Sequence, residues 1–347
     1  MEQSKHRFKS IHVTTNRACN LRCEWCYAQG ENFSKSEDMS AETLQAVSKF
    51  CDSANINSVI LIGGEPTVYP LIEDALNLFS KKSITLVTNG VLLSSNEVCK
   101  DYIDRGVSRF SVSIKAENRE KYLNLTKRDC FDRVLKAIEN LSKNNAKYSV
   151  SYVITQDNIR DIPEMVRVTQ NAGAENYFFS VCRNFNLNGT SDKDFVNANN
   201  PFIIAREFEK LLPWLKQNIK NFSYAINEPL CSYSKDFLDE NIKDFYYPCY
   251  LHNNTSITFD PHGYLIPCNT IHQIKVGKLG DDFDDIDSYL AFEKTDKYKD
   301  IYKKLRGLPD ERCNDCDIVS MCRGRCVCNW TNYSFDELKN DVFLASK

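Results

Sequence analysis

Residues 11–28 read IHVTTNRACNLRCEWCYA, and the reading of the whole chain starts from this stretch. Residues 11–15 are a β-branched run that predicts a strand. Cys19, Cys23 and Cys26 follow it within a span of eight residues. Three thiolates on one short loop chelate one face of a soft metal centre. A structural zinc site is closed by four ligands, and no fourth cysteine or histidine follows nearby. A [4Fe–4S] cluster held by three cysteines would keep one iron open to a further ligand. Zinc completed by a distant side chain is the alternative.

The order strand, then polar loop, then helix recurs along the chain. Candidate strands lie at 58–62, 83–87, 109–114, 148–155 and 176–181. Amphipathic stretches fill 40–54 (with Ser40 as N-cap), 70–81, 94–105, 129–144 and 158–171. Six βα units in series predict a parallel sheet joined by right-handed crossovers. An open doubly wound sheet and an incomplete barrel both fit, and in either one functional groups gather at the C-terminal strand ends. Residues 190–200 read as a polar loop and 201–219 as one helix with Pro213 inside it. From about residue 225 the chain turns aromatic and cysteine-rich, with few clear helices. The expected organisation is a catalytic domain over 8–222, a small second domain over 223–333, and a helix or tail over 334–347. A small region of that composition is better held by metal than by an apolar core.

Composition narrows the function classes. The 347 residues carry 44 basic and 47 acidic side chains, a net charge of −3, with no basic block to serve as a nucleic-acid footprint. The first ten residues, MEQSKHRFKS, lack the apolar core of a signal peptide. No apolar run approaches the roughly 18 residues of a membrane span. A cytoplasmic protein is expected, in which the fifteen cysteines stay reduced and bind metal or do chemistry rather than pair. Cys51, Cys99, Cys130 and Cys182 are scattered and read mostly as small buried residues.

The motif Cys19-x3-Cys23-x-Trp25-Cys26 resembles the signature of the radical S-adenosylmethionine (AdoMet) enzymes. The resemblance implies a partial (β/α)6 barrel and a cluster whose open iron binds AdoMet. An electron from that cluster cleaves AdoMet to a 5′-deoxyadenosyl radical, which takes hydrogen from an unactivated carbon. Trp25 matches an aromatic position packing near the adenine. Gly63-Gly64-Glu65-Pro66, after the second strand, is similar to the family's motif for the AdoMet amino group. Asn89 in Thr88-Asn89-Gly90 lies at the third strand end, Ser113 at the fourth, and Thr155 and Asn158 at the fifth. These are the implied ribose and adenine wall. Lys115 stands where relatives commonly carry an acid.

The later cysteines resemble the SPASM extension of a subset of these enzymes. Cys249, Cys268, Cys313, Cys316, Cys322, Cys326 and Cys328 follow its pattern, which implies two auxiliary [4Fe–4S] clusters and three in all. Seven ligands leave one cluster short, and Cys231 makes eight. Cys326 and Cys328, only two residues apart, are expected on different clusters. That gives Cys231, Cys249, Cys268 and Cys326 on one cluster and Cys313, Cys316, Cys322 and Cys328 on the other. A zinc ribbon over 313–326 is the alternative.

Such relatives mostly crosslink or oxidise ribosomally made peptides, so a precursor peptide is the leading substrate. The implied partner is a flavodoxin- or ferredoxin-like electron donor; since only 18 residues precede Cys19, a leader is expected to be held by the catalytic domains or by a separate leader-binding protein. The acidic run over 281–287 could grip a basic leader, although such runs are more often solvated. The alternatives are a small-molecule dehydrogenase or epimerase, for example of an amino sugar, and an iron–sulfur regulator. Cys182, at the end of the sixth strand, is a candidate hydrogen-atom donor for the epimerase reading.

Overall fold

The computed structural model describes residues 7–28, 37–183, 199–245, 249–332, 334 and 336. Most of the polar stretch 190–200 and nearly all of the tail 334–347 lie outside the described residues.

Strands β1 (Ser10–Thr14), β2 (Ser58–Ile62), β3 (Ser83–Thr88), β4 (Val107–Ile114), β5 (Tyr148–Ile154) and β6 (Asn176–Val181) occupy the six predicted positions. They pair in parallel in strict chain order. A doubly wound sheet reverses its strand order at a switch point, and this sheet does not. The sheet therefore winds one way, as the partial barrel requires. β4 starts two residues earlier than predicted because the register slips at Ser108, whose Oγ accepts the Ile84 N–H at 3.2 Å.

Residues alternate along these strands between a fully enclosed face and a half-buried one. Ile11, Val13, Val59, Leu61, Val112, Val150 and Phe179 are all fully buried. They share one continuous core with helices α1 (Ala41–Ser53), α2 (Ile72–Leu78), α3 (Asn96–Asp104), α4 (Arg119–Thr126), α5 (Phe131–Lys143) and α6 (Ile162–Asn171). On β4 and β5 the other face is largely small and polar, with Ser111, Ser113, Ser149 and Ser151. That face is free to surround a site. Ser40 caps α1 as expected, its hydroxyl accepting the Thr43 N–H at 3.2 Å. Helix α4 was not anticipated. It is short, capped by Asn118, and inserted into the β4–β5 crossover.

Helix α7 (Pro201–Asn218) runs through Pro213 as predicted. Strand β7 (Asn221–Ala225) then joins β6 in parallel, so the expected boundary at 222 falls inside a strand. Helix α8 (Lys235–Phe245) follows. β8 (Ser256–Phe259) crosses to the far edge and pairs in parallel with β1. β9 (Tyr264–Leu265) and β10 (Gly277–Lys278) extend that edge antiparallel. The sheet thus has ten strands, and both regions of the chain contribute to it. Helices α9 (Ile286–Phe292) and α10 (Asp296–Leu305) correct the expectation of few helices after residue 225. Among the described residues no helix is long and apolar enough to cross a membrane.

Candidate functional site

The cysteine loop leaves the end of β1 and is fastened on two sides. On the inner side, Asn16 O accepts the Gly64 N–H at 2.8 Å and Ala18 O accepts the Glu65 N–H at 2.9 Å. Asn16 Nδ2 donates to Ala18 O and Glu65 O, both at 3.0 Å. Contact this close requires glycine. A Cβ on Gly64 would lie 2.3 Å from the carbonyl oxygens of Arg17 and Ala18. On the outer side, Arg22 N and Glu24 N donate to Thr126 O and Leu125 O at the end of α4, at 2.9 and 3.0 Å. The unanticipated helix is therefore what holds the loop.

Cys19, Cys23 and Cys26 are each half-buried. Burial pushes the Cys19 thiol up to about 12, and Glu65, Cys23 and Cys26 add to the rise. Burial also raises Cys23, against the pull of the Lys115 ammonium. The Cys19 Sγ accepts the Leu21 N–H at 3.4 Å. The donor set suits an iron–sulfur cluster with one open iron.

Glu65 was expected at the AdoMet amino group, but it faces inward and is 1% exposed. Its carboxylate accepts from Thr67 N (3.1 Å), Thr67 Oγ1 (2.7 Å), Thr88 Oγ1 (2.6 Å) and Asn89 N (2.7 Å). It thereby clamps the β2 turn to the end of β3. Pro66 opens the one-turn helix Pro66–Val68 that Glu65 caps. Asn89 reaches back to the cysteine loop, its Nδ2 donating to Asn20 Oδ1 at 2.7 Å.

A cavity of about 360 Å³ opens beside Trp25, at the ends of β4 and β5. Lys115, Thr155 and Asn158 line it, together with Glu117 and Tyr152. Lys115 Nζ donates to Ser113 Oγ at 2.5 Å. The Thr155 N–H donates to Asn158 Oδ1 at 2.8 Å, and the Asn158 N–H to Thr155 Oγ1 at 3.2 Å. These two expected contact residues shape the turn by locking each other. Glu117 Oε2 and Tyr152 Oη are buried and have no hydrogen-bond partner among the described residues. One buried acceptor and one hydroxyl facing a cavity suit a ligand with amino and hydroxyl groups, as AdoMet has.

The C-terminal cysteines fall into two groups of four. Cys231, Cys313, Cys316 and Cys322 surround a cavity of about 80 Å³, and the Leu230 N–H donates to Cys322 Sγ at 3.4 Å. Cys249, Cys268, Cys326 and Cys328 form the other group, in which the sulfurs act on one another. This corrects the expected partition, exchanging Cys231 and Cys328. Residues two apart share a face on an extended chain, and the short helix Val327–Asn332 likewise keeps Cys328 beside Cys326. Among the described residues no three His, Cys, Asp or Glu side chains meet closely enough for a single metal ion. A four-iron cube sets its thiolates further apart than one ion does.

Cys182 and Arg183 join these parts. The Cys182 N–H extends the β5–β6 ladder to Ile154 O at 2.7 Å. Its buried thiol is pushed up to about 12 by burial, with Arg183, Cys26 and Lys115 acting on it as neighbours. The Arg183 Nη1 donates to Cys326 Sγ at 3.8 Å and to Asn227 Oδ1 at 3.2 Å. Burial works against the charge on Arg183, and the sulfurs of Cys326, Cys328 and Cys268 outweigh it. Sequence reasoning missed Arg183, Lys115 as a neighbour of Cys23, and Glu117; only the cysteines around them mark the region.

The acidic run has structural partners. Asp281 pairs with Lys278 at 3.0 Å, Asp282 with Lys297 at 3.0 Å, and Asp285 caps α9. Phe283 and Ile286 are buried between them.

Residues 13–169 match the sequence model of the Radical SAM superfamily. Molybdenum cofactor biosynthesis protein 1 of Dictyostelium discoideum is 30% identical over 209 residues, 57% of this chain and 32% of its own length. A GTP 3′,8-cyclase of Clostridium perfringens is 31% identical over 157 residues, 44% of this chain and 48% of its own. The matches thus span about a third to a half of these curated relatives. Streptococcus suis SuiB bound to precursor peptide SuiA superposes with a TM-score of 0.71 at 16% identity, covering 97% of this chain and 77% of that one. Native anSMEcpe with bound AdoMet gives 0.66 at 18% identity, covering 97% of both chains. Residues 13–169 are thus similar to the radical SAM superfamily, and they hold the cysteine loop at the end of β1 and the strands wound in chain order.

Proposed function

We propose that the chain is a peptide-modifying radical AdoMet enzyme with three [4Fe–4S] clusters. Cys19, Cys23 and Cys26 would hold the first cluster. Cys249, Cys268, Cys326 and Cys328 would hold the second, and Cys231, Cys313, Cys316 and Cys322 the third. AdoMet at the first cluster would supply the 5′-deoxyadenosyl radical that removes hydrogen from an unactivated carbon. Trp25, Lys115, Thr155 and Asn158 would hold AdoMet in the cavity, with Glu117 and Tyr152 meeting its polar groups. The observation that carries the reading is contiguity. Cys26 acts on Cys182, and the next residue, Arg183, donates to Cys326. One rim thus links the radical site to the first group of four thiols, which suits removal of an electron from a substrate radical.

A peptide substrate is supported by the likeness of the whole chain to SuiB with its precursor peptide. Cyclisation of GTP is the second reading, favoured by the names of the sequence relatives, whose matches cover 44–57% of this chain. Epimerisation would add a role for Cys182 as hydrogen donor, and product made in D2O would then carry deuterium at carbon. The deciding experiment uses anaerobically reconstituted protein with AdoMet and dithionite. Precursor peptides encoded beside the gene should raise 5′-deoxyadenosine and change mass, while GTP should not react. Conversion of GTP to a cyclised nucleotide, with the peptides unchanged, overturns the proposal.

A further inference from the structure

Arg17 is 2% exposed, and its Nη1 is buried without a hydrogen-bond partner. No carboxylate among the described residues pairs with it. A buried cation left unpaired is among the costlier arrangements in a protein, so this charge is placed to meet an anion other than the carboxylates of the described residues.

The surroundings indicate which anion. Arg17 stands two residues before Cys19, on the stem that Gly64 pins. Tyr27 follows Cys26 and donates its hydroxyl to Gly63 O at 3.4 Å. Its ring stands edge-on to His272 with centroids 6.1 Å apart. The charge on Arg17 and the sulfurs of Cys26, Cys19 and Cys268 all act on that hydroxyl. The cation and the thiols of the loop thus both lie near the Tyr27 hydroxyl. Three thiolates around a four-iron core leave a net negative charge, and reduction adds one more.

We propose that Arg17 compensates the charge of the cluster held by Cys19, Cys23 and Cys26, and so makes that cluster easier to reduce. The inference rests on the reading of these cysteines as cluster ligands. Arg17 touches neither substrate nor reacting atoms; it acts through the field it places on the cluster.

The test compares wild type, Arg17→Met and Arg17→Lys as reconstituted holoproteins. Midpoint potentials are read by electron paramagnetic resonance from the signal that AdoMet alters. Arg17→Met should lower the reduced-to-oxidised ratio at fixed potential at least threefold, about 28 mV at 59 mV per tenfold. Arg17→Lys should recover most of the shift. The effect must appear without AdoMet; a shift seen only with AdoMet assigns Arg17 to the cofactor's carboxylate and overturns the proposal. Metal-free Arg17→Met should be at least as stable as wild type, because an unpaired buried charge has been removed. A loss of stability there, or an unchanged midpoint, shows that Arg17 is paired within the chain and overturns the proposal. An Arg17→Met protein that folds but takes up no first cluster, while Arg17→Lys does, supports it. If wild type fills only the two C-terminal sites, the underlying reading fails, and the inference falls with it.

Discussion

Replacing Glu65 separates a clamp from a ligand contact. Its carboxylate takes four hydrogen bonds, two from the backbone N–H groups of Thr67 and Asn89 and two from the hydroxyls of Thr67 and Thr88. In Glu65→Ala the hydroxyls can turn to other acceptors, but the two N–H groups cannot. A buried donor left unpaired costs about 1–3 kcal/mol, so the substitution should cost about 2–6 kcal/mol before any cavity term. Glu65→Gln keeps the volume and one acceptor, and it avoids the burial that raises the Glu65 pKa. Its cost should stay near about 1–3 kcal/mol. Against a typical total of about 5–15 kcal/mol, the Ala variant should be visibly destabilised. Urea unfolding of metal-free protein, with no AdoMet present, reads this directly. If Glu65→Ala unfolds within about 0.5 kcal/mol of wild type, the clamp carries no stability and the reasoning is refuted.

Gly64→Ala places a Cβ 2.3 Å from two carbonyl oxygens, so it should cost about 1–3 kcal/mol or more and abolish iron uptake at the first site. Iron assay with circular dichroism checks both. Replacing Cys313 and Cys316 together should lower iron from about 12 to about 8 per chain. Cys328→Ala should disturb the same resonance signal as Cys268→Ala, and Cys231→Ala the same one as Cys316→Ala; crossed pairs would restore the partition expected from the sequence. Burial holds His12 down to about 4, below its usual 6.5. The unfolded chain then binds the proton more readily, so stability is present above about pH 6.5 and is lost as the pH falls toward about 4. His12→Phe should flatten that part of a pH–melting curve. Asp281→Asn with Asp282→Asn should lower the melting temperature slightly and leave peptide affinity unchanged; a large loss of affinity would return the acidic run to substrate binding.

The six strands and most of the crossover helices were legible because short β-branched runs recur between amphipathic stretches, and β4 and β5 set an enclosed apolar side against one rich in serine. Helix α4 was missed because its few apolar residues, chiefly Tyr122 and Leu125, give a weak pattern; Asn118 with Glu120 in the first turn was the available signal. β9 and β10 are two residues each, too short to show a period, and the pairing of β8 with β1 is set by distant packing. Cysteine spacing named the thiols, but not which ones meet, since Cys231 joins Cys313, Cys316 and Cys322 only through packing between segments distant in sequence. The Gly63-Gly64-Glu65 motif was legible as a family resemblance. Its spacing carried no information on which way the Glu65 side chain turns.

The pairing of β8 with β1 has a consequence for how the chain is made. Ser10 lies opposite Ser256, so β1 keeps one unsatisfied flank until roughly 250 residues have left the ribosome. At about 5–20 residues per second that is roughly 12–50 s of synthesis during which an open strand edge is available to other chains. The C-terminal region therefore shields the nascent sheet as well as carrying its cysteines. A chain cut near residue 222 would keep that edge for good, and would be expected to gather into aggregates rather than yield a free-standing N-terminal half.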